Sequence, residues 1–448
     1  MNYKKKPSIT PAQIILLGYL ALIMLGALLL TLPFATRDGH GACFADAIFT
    51  ATSAGCVTGL IVQDTFTYWS GFGQAVILTL IQIGGLGIIT FALAISMVSR
   101  KQIGLKSRWV MQESIGAPQV GGILRQTKFF LLGSLTVELT GALLLSLRFC
   151  KDFPLSKGIW YGVWHSVSAF CNAGFDLMGT KQPFSSLTGY TGDIIVNTVI
   201  DLLILIGGIG FFTWRDIADH RLRFTRYSLQ SKLILLASAI LLSGGFAFFA
   251  GYEFRLPGWQ GLTVREKLLA CLGCTISPRT AGFNTVDLNH LSEPGKLMTI
   301  ILMLIGGAPS STAGGFKLTT LAVLVVGTCS VFQRRADAVC CRRRIDPASC
   351  RNAAAIFSLY LILFLAGGTL ISCLDAQPLM TALFEAASAV ATVGLSLGAT
   401  PTLSAASRWI LIFLMYLGRV GGLTLIYAVF PGIQPGEGTL PQEKVTVG

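Results

Sequence analysis

Four short stretches of the chain share one pattern: Ser53-Ala-Gly-Cys-Val-Thr-Gly59-Leu60, Ser168-Ala-Phe-Cys-Asn-Ala-Gly174-Phe175, Ile276-Ser-Pro-Arg-Thr-Ala-Gly282-Phe283 and Ser388-Ala-Val-Ala-Thr-Val-Gly394-Leu395. Each places one glycine at the same phase, followed by Leu or Phe. Glycine has no Cβ and takes positive φ, so consecutive carbonyls can turn toward one point. A ring of such carbonyls can replace the hydration shell of a monovalent cation. The candidate ring comprises Val57, Thr58 and Gly59, Asn172, Ala173 and Gly174, Thr280, Ala281 and Gly282, and Thr392, Val393 and Gly394. A single glycine of this kind more often ends a short helix; four in phase favour the ring. No Asp or Glu occupies the glycine phase, which weighs against a carboxylate filter for divalent cations. Asp176, two residues beyond Gly174, could draw cations toward the mouth, but the simpler reading, a solvated loop carboxylate, is preferred. Arg279, beside the third loop, is expected to point behind it and bond backbone carbonyls or a carboxylate such as Glu385.

A second candidate lies at Gly306, Gly307, Ala308, Pro309, Ser310, Ser311, Thr312, Ala313, Gly314, Gly315, Phe316 and Lys317. Its glycines and proline break any regular helix. The order resembles a phosphate-binding loop, but Phe316 falls where the lysine should stand. Arg419 interrupts an apolar run, and an ionisable residue there needs a cavity or a partner. Lys317 is explained most simply by snorkelling toward the nearer membrane surface. Glu138 and Asp201 are read as structural, paired with cations or polar neighbours. Enzyme chemistry is not supported: there is no G-x-S-x-G around His165 and no H-E-x-x-H. Cys271 and Cys274 form a C-x-x-C without a second pair and read as buried hydrophobes.

These residues need a membrane to hold them. Of 448 residues, 53% are hydrophobic and 12% charged, whereas soluble domains carry about 25% charged residues. Eight apolar stretches near 12–34, 71–99, 129–149, 194–214, 233–252, 297–330, 352–374 and 409–430 approach the length of about 20 residues that crosses a bilayer. Four shorter apolar segments at 43–53, 159–170, 268–277 and 379–391 are half that length and read as re-entrant helices. The glycines recur at separations of 115, 108 and 112 residues, and a second glycine landmark follows each at Gly84-Gly85, Gly207-Gly208, Gly306-Gly307 and Gly418 with Gly421-Gly422.

The predicted fold is therefore an all-α integral membrane protein of four tandem span, pore-loop, span repeats around a central pore. The repeats are 1–110, 111–226, 227–345 and 346–448, the third holding the intramembrane segment 306–316. Placing the termini and inter-repeat connections on one side puts 21 of the 34 Lys and Arg there, so that side, with both termini, is expected to be cytoplasmic. The formal net charge of +13 thus reads as membrane flanks, not as a nucleic-acid surface. Tyr68, Trp69, Trp160, Tyr161, Trp164, Trp259 and Trp409 are expected to form the opposite interfacial belt.

The segments C-V-T-G-L, C-N-A-G-F, R-T-A-G-F-N-T and A-T-V-G-L, with Q-I-G-G-L-G after the first, resemble the Ktr/Trk/HKT superfamily of potassium transporters over nearly the whole chain. With the first span beginning almost at the N-terminus, the chain is most similar to the Ktr-type pore-forming subunit. The resemblance implies K+ selectivity at the four glycines, Gly59 included, a gate at 306–316, and a pore-facing position for Arg419, where it would limit ion occupancy or tether the gate. It also implies a homodimer, a cytosolic nucleotide-binding ring of the RCK/KTN type as regulator, and Na+ as activator. The competing class is a proton- or sodium-coupled symporter of the Trk kind, since carriers also use broken helices and repeats.

Overall fold

The computed structural model describes residues 10–88, 123–180, 182–221, 223–335, 337–422, 424 and 426. The expected basic residues at 4–6 and 100–108 and the tail from Pro431 lie outside the described residues.

Each repeat opens with a long apolar helix: α1 (Pro11–Leu30), α4 (Ile123–Phe149), α8 (Leu229–Gly251) and α12 (Pro347–Asp375). Among the described residues these four contain the helices long and apolar enough to cross a membrane. They are apolar all round, with Leu25, Leu143, Ile240 and Ile362 each about 60% exposed on the outer surface, as expected of helices facing lipid rather than water. Thr10 starts α1 with a capping box completed by Gln13.

A short helix follows in each repeat: α2 (Phe44–Gly55), α5 (Leu155–Phe170), α9 (Val264–Ile276) and α13 (Leu379–Val390). At 12 to 16 residues they are too short to cross. Their C-terminal turns are buried and lead into the four glycine loops.

The chain then returns through α3 (Gly71–Leu86), α6 (Ile194–Gly208), α10 (Glu293–Leu304) and α14 (Ala405–Val420). All four start on a side-chain cap, where Ser70, Asp193, Ser292 and Ser404 accept from the N–H three residues on. Instead of running unbroken to the far surface, these helices stop part-way. Gly87, Gly210 and Gly421 end α3, α6 and α14 at φ of 86, 88 and 90°, and α7 (Phe211–His220) leaves α6 at 94°. The expected second span of repeat 2 is thus a bent element, and repeat 3 has the long interruption from Ile305 to Lys317 before α11 (Leu318–Phe332).

The paired glycines have a steric cause. A Cβ at Gly84, Gly207 or Gly418 would collide with the carbonyl oxygen of Gly55, Phe170 or Val390 respectively, each four residues before its loop glycine. Only glycine lets the second helix lie directly against the C-terminal end of its own short helix.

In the 334–351 connection, β1 (Val339–Cys340) pairs antiparallel with β2 (Arg343–Arg344). The hairpin turns through Cys341 and Arg342, both at positive φ, as a two-residue hairpin loop requires.

Candidate ion pathway

The four loops close into one ring. A Cβ on Gly59 would overlap the carbonyl oxygen of Ala173, one on Gly174 that of Ala281, one on Gly282 that of Val393, and one on Gly394 that of Thr58. The order runs repeat 1 to 2 to 3 to 4 and back to 1. All four glycines have positive φ, between 68 and 94°. The residues two places earlier, Val57, Asn172, Thr280 and Thr392, also have positive φ, between 52 and 72°. Three of these are β-branched, for which that region is strongly disfavoured. Their repetition at one phase shows a backbone held against local preference, which is where functional strain concentrates.

Hydrogen bonds from the short helices hold the loops. Thr58, Ala173 and Val393 donate their N–H to the carbonyls of Ser53, Ser168 and Ser388 at 2.7, 2.8 and 2.8 Å. The Ser53 and Ser388 hydroxyls accept from the N–H of Gly59 and Gly394, both at 3.0 Å. Repeat 3 departs: Ile276 stands at the serine phase, and Ser277 instead donates to the Phe283 carbonyl at 2.6 Å. Asn172 Nδ2 donates to Thr280 Oγ1 at 3.3 Å, joining loops 2 and 3. Because α2, α5, α9 and α13 all end at the ring, the negative ends of four helix dipoles, about half a charge each, face the same centre.

Above the ring is a vestibule of about 640 Å3 lined by Gly59, Gly174, Gly282 and Gly394 together with Asp176. Asp176 is partly covered, accepts from the Met178 N–H at 2.9 Å and lines this vestibule. Arg279 is buried behind the third loop, but its Nη2 donates to Ser238 Oγ on α8 at 3.1 Å, not to Glu385. The Glu385 carboxylate is taken by Ser396 Oγ, the Leu397 N–H and Thr400 Oγ1, so it closes its own loop. The aromatic belt also differs from expectation, since Trp69, Tyr161, Trp164 and Trp259 are buried and, of the seven, only Trp409 is about half exposed.

Directly below the ring lies the broken segment of repeat 3. Gly314 packs so tightly under Thr392, and Gly315 under Ala391, that a Cβ at either would overlap. The segment is tied to repeat 2 by three backbone bonds: Ala308 N–H to Gly208 O at 2.9 Å, Thr312 N–H to Gly207 O at 3.3 Å, and Phe211 N–H to Ser310 O at 2.8 Å. Thr312 Oγ1 also donates to Phe170 O at 3.0 Å, and Gly315 N–H reaches Gly418 O of repeat 4 at 3.1 Å. Two further bonds close the segment on itself, from Gly306 N–H to Phe316 O and from Ser311 Oγ to Ala308 O, at 2.8 and 2.6 Å. Gly307 O accepts from the Leu318 N–H at 3.0 Å, and Pro309 and Ala313 complete the turn.

Two cations sit on this segment. Lys317 does not snorkel away: its Nζ folds back onto the carbonyls of Ala313 and Gly314 at 2.7 and 3.3 Å. Arg419 on α14 donates Nη1 to Thr312 O at 2.5 Å, Nη2 to Gly84 O and to Gly85 O at 3.1 Å, and Nε to Tyr19 OH at 3.4 Å. One guanidinium thus joins repeats 1, 3 and 4. Both cations line a cavity of about 250 Å3 on the far side of the segment. The sequence carries no signal for these acceptors, because all but one are backbone carbonyls. Glu138 takes polar neighbours instead of a cation: Gln82 Nε2 donates to both its oxygens at 3.0 and 3.1 Å, and Cys171 Sγ lies at 3.9 Å. Among the described residues no cluster of His, Cys, Asp and Glu could hold a metal ion.

The comparisons match this architecture. The family described as TrkH, cation transport protein, matches residues 10–242 and 217–431. The "Potassium/sodium uptake protein NtpJ" of Enterococcus hirae is 36% identical, covering 100% of this chain and 99% of that protein. The "Ktr system potassium uptake protein B" of Bacillus subtilis is 39% identical, covering 94% of this chain and 93% of that protein. The crystal structure of the potassium transporter TrkH from Vibrio parahaemolyticus superposes with a TM-score of 0.72 at 19% identity, covering 96% of this chain and 87% of that one. With a family match across most of its length and relatives of this identity, the chain belongs to the TrkH cation transport protein family.

Proposed function

We propose that the chain is the pore-forming subunit of a potassium uptake system in the cytoplasmic membrane, with its termini on the cytoplasmic side. The observation that carries this reading is the closed ring, in which each loop glycine lies against the carbonyl of the next repeat. A dehydrated K+ entering from the vestibule would exchange water for carbonyls contributed equally by four repeats, with the four helix dipoles favouring a cation. The driving force is the membrane potential, worth about 2.3 kcal/mol per charge per 100 mV, so no chemical step is needed in this chain.

In this reading residues 306–317 are the gate, since they lie under the ring and are bonded to two neighbouring repeats, and Arg419 latches them. Opening requires those bonds to break. At about 0.5–1.5 kcal/mol for each neutral bond and more for those to the guanidinium, a partner must supply the difference. The name of the Bacillus relative speaks of a Ktr system, which supports a cytosolic nucleotide-binding partner, and the resemblance supports a homodimer. The Enterococcus relative's name includes sodium; here Na+ is assigned as activator, with K+ as the transported ion.

The deciding experiment is ion flux through the purified chain in liposomes under an imposed potential. Potassium flux that follows the potential without a proton or sodium gradient is expected. Flux that vanishes when either gradient is removed would replace the pore by a coupled symporter.

A further inference from the structure

At the pore-loop end of the molecule a cleft of about 400 Å3 opens between repeats 1 and 2, away from the ion pathway. Its walls are Arg37, from the connection after α1, Phe66, and Gln74 on α3, facing Lys157, Trp160 and Tyr161 at the start of α5. The Arg37 guanidinium carbon lies 4.4 Å and the Lys157 ammonium 5.9 Å from the centre of the Phe66 ring, so two positive charges converge on one aromatic ring. Among the described residues neither is in an ion pair, whereas Arg148, Lys296 and Arg408 on the same side each have a carboxylate. Both side chains are exposed.

The wall behind them is fixed. Trp160 Nε1 donates to Gln74 Oε1 at 3.1 Å, Gln74 Nε2 donates to Trp69 O at 3.2 Å, and Arg37 Nε shares that carbonyl at 3.3 Å. Tyr161 is only 1% exposed, and its hydroxyl has no hydrogen-bond partner. Buried hydroxyls nearly always find one. Two unpaired cations and an unused hydroxyl at one cleft are a donor set for an anion with several acceptor oxygens.

The surroundings say where that anion comes from. Phe34 and Phe72, whose rings meet at 4.7 Å, and Leu155 and Ile159 are exposed by 57, 39, 70 and 47%. They place an apolar wall next to the cationic cleft, with the amphipathic Trp160 between, the arrangement of a headgroup region above acyl chains. We propose that this cleft binds the phosphodiester of an anionic phospholipid, which thereby bridges repeats 1 and 2 at their membrane surface. The inference needs only that the helices lie in a bilayer and does not depend on which ion is carried.

The test is native mass spectrometry of the full chain in detergent, titrated with phosphatidylglycerol, phosphatidylcholine or inorganic phosphate. The unsubstituted chain is expected to retain phosphatidylglycerol preferentially, with no displacement by inorganic phosphate. In the Arg37→Gln/Lys157→Gln double variant its affinity is expected to fall by about tenfold, and in Tyr161→Phe by severalfold, with phosphatidylcholine unchanged. Lys157→Gln alone, at an exposed position with no ion pair among the described residues, guards against a misfolded double variant. Equal phosphatidylglycerol retention by Lys157→Gln and Tyr161→Phe would overturn the proposal. So would displacement of the lipid by inorganic phosphate, which would make the cleft a site for a free anion.

Discussion

The ring and the segment beneath it are built on opposite principles. At the ring every repeat contributes the same backbone: a positive-φ residue, one intervening residue and a positive-φ glycine, each leaning on the next repeat. One layer lower the symmetry is gone. Repeats 1, 2 and 4 end their second helix at a single glycine, while repeat 3 spends the stretch from Ile305 to Lys317 on an irregular loop. A spherical ion is best surrounded by equal contributions. Under the proposed function, a barrier needs only one movable part, held here by bonds to repeats 2 and 4. On that reading the repeat was kept where ion coordination sets the geometry and given up where gating does.

That contrast can be broken by substitution. The largest effect is expected at the ring, where a side chain meets backbone and must adopt a conformation costing about 1–2 kcal/mol on its own. Gly59→Ser, Gly174→Ser, Gly282→Ser and Gly394→Ser should each lower K+ over Na+ selectivity by about tenfold or more, read as flux ratios in liposomes. Comparable losses at all four positions are required; a ring in which three tolerate serine is not symmetric. Deleting Pro309 to Ala313 removes the segment's bonds to Gly207, Phe211 and Phe170. Resting K+ flux should rise severalfold while selectivity stays unchanged, and flux that remains low would remove the gate assignment.

Smaller effects sharpen the comparison. Arg419→Gln loses the charge that holds Thr312, Gly84 and Gly85 carbonyls together. Charge-assisted bonds of this kind are worth about 1.5–3 kcal/mol each, so partial loss should raise resting flux by a few fold and lower the unfolding temperature. A variant with unchanged resting flux would make Arg419 a purely structural tie. The smallest expected difference separates two serines at the same phase. Ser388→Ala leaves the Gly394 N–H without its acceptor and should cost about 1–3 kcal/mol. Ser168→Ala removes a hydroxyl that has no partner and should leave stability within about 0.5 kcal/mol. Equal losses in thermal unfolding would show that the hydroxyls matter for packing alone.

Much of this was legible in the residues because repetition amplifies weak signals. One glycine after a short apolar run says little, but four in register, followed by a second glycine landmark, outline the ring and its supporting helices. Three features resisted reading for physical reasons. The positive φ of Val57, Thr280 and Thr392 contradicts the preference of β-branched residues, so it is imposed by the ring and leaves no local trace. The partners of Arg419 and Lys317 are almost all carbonyls, which every residue possesses. Arg279 was expected to find a carboxylate, but Glu385 is consumed by its own loop and the serine across the short helix takes the contact. The breaks at Gly87, Gly210 and Gly421 did have a signal, a glycine three places after Gly84, Gly207 and Gly418, but its effect on the helix is lost when long apolar runs are counted as whole spans.

The seam of the ring bears on how such a protein is made. Its last contact joins Gly394 to the Thr58 carbonyl, so the first loop waits for the fourth to leave the ribosome before it has a neighbour on that side. A nascent chain already inserted through three repeats therefore has an open arc, not a coordination cage. A product that ends before residue 394 lacks the contact that closes the ring.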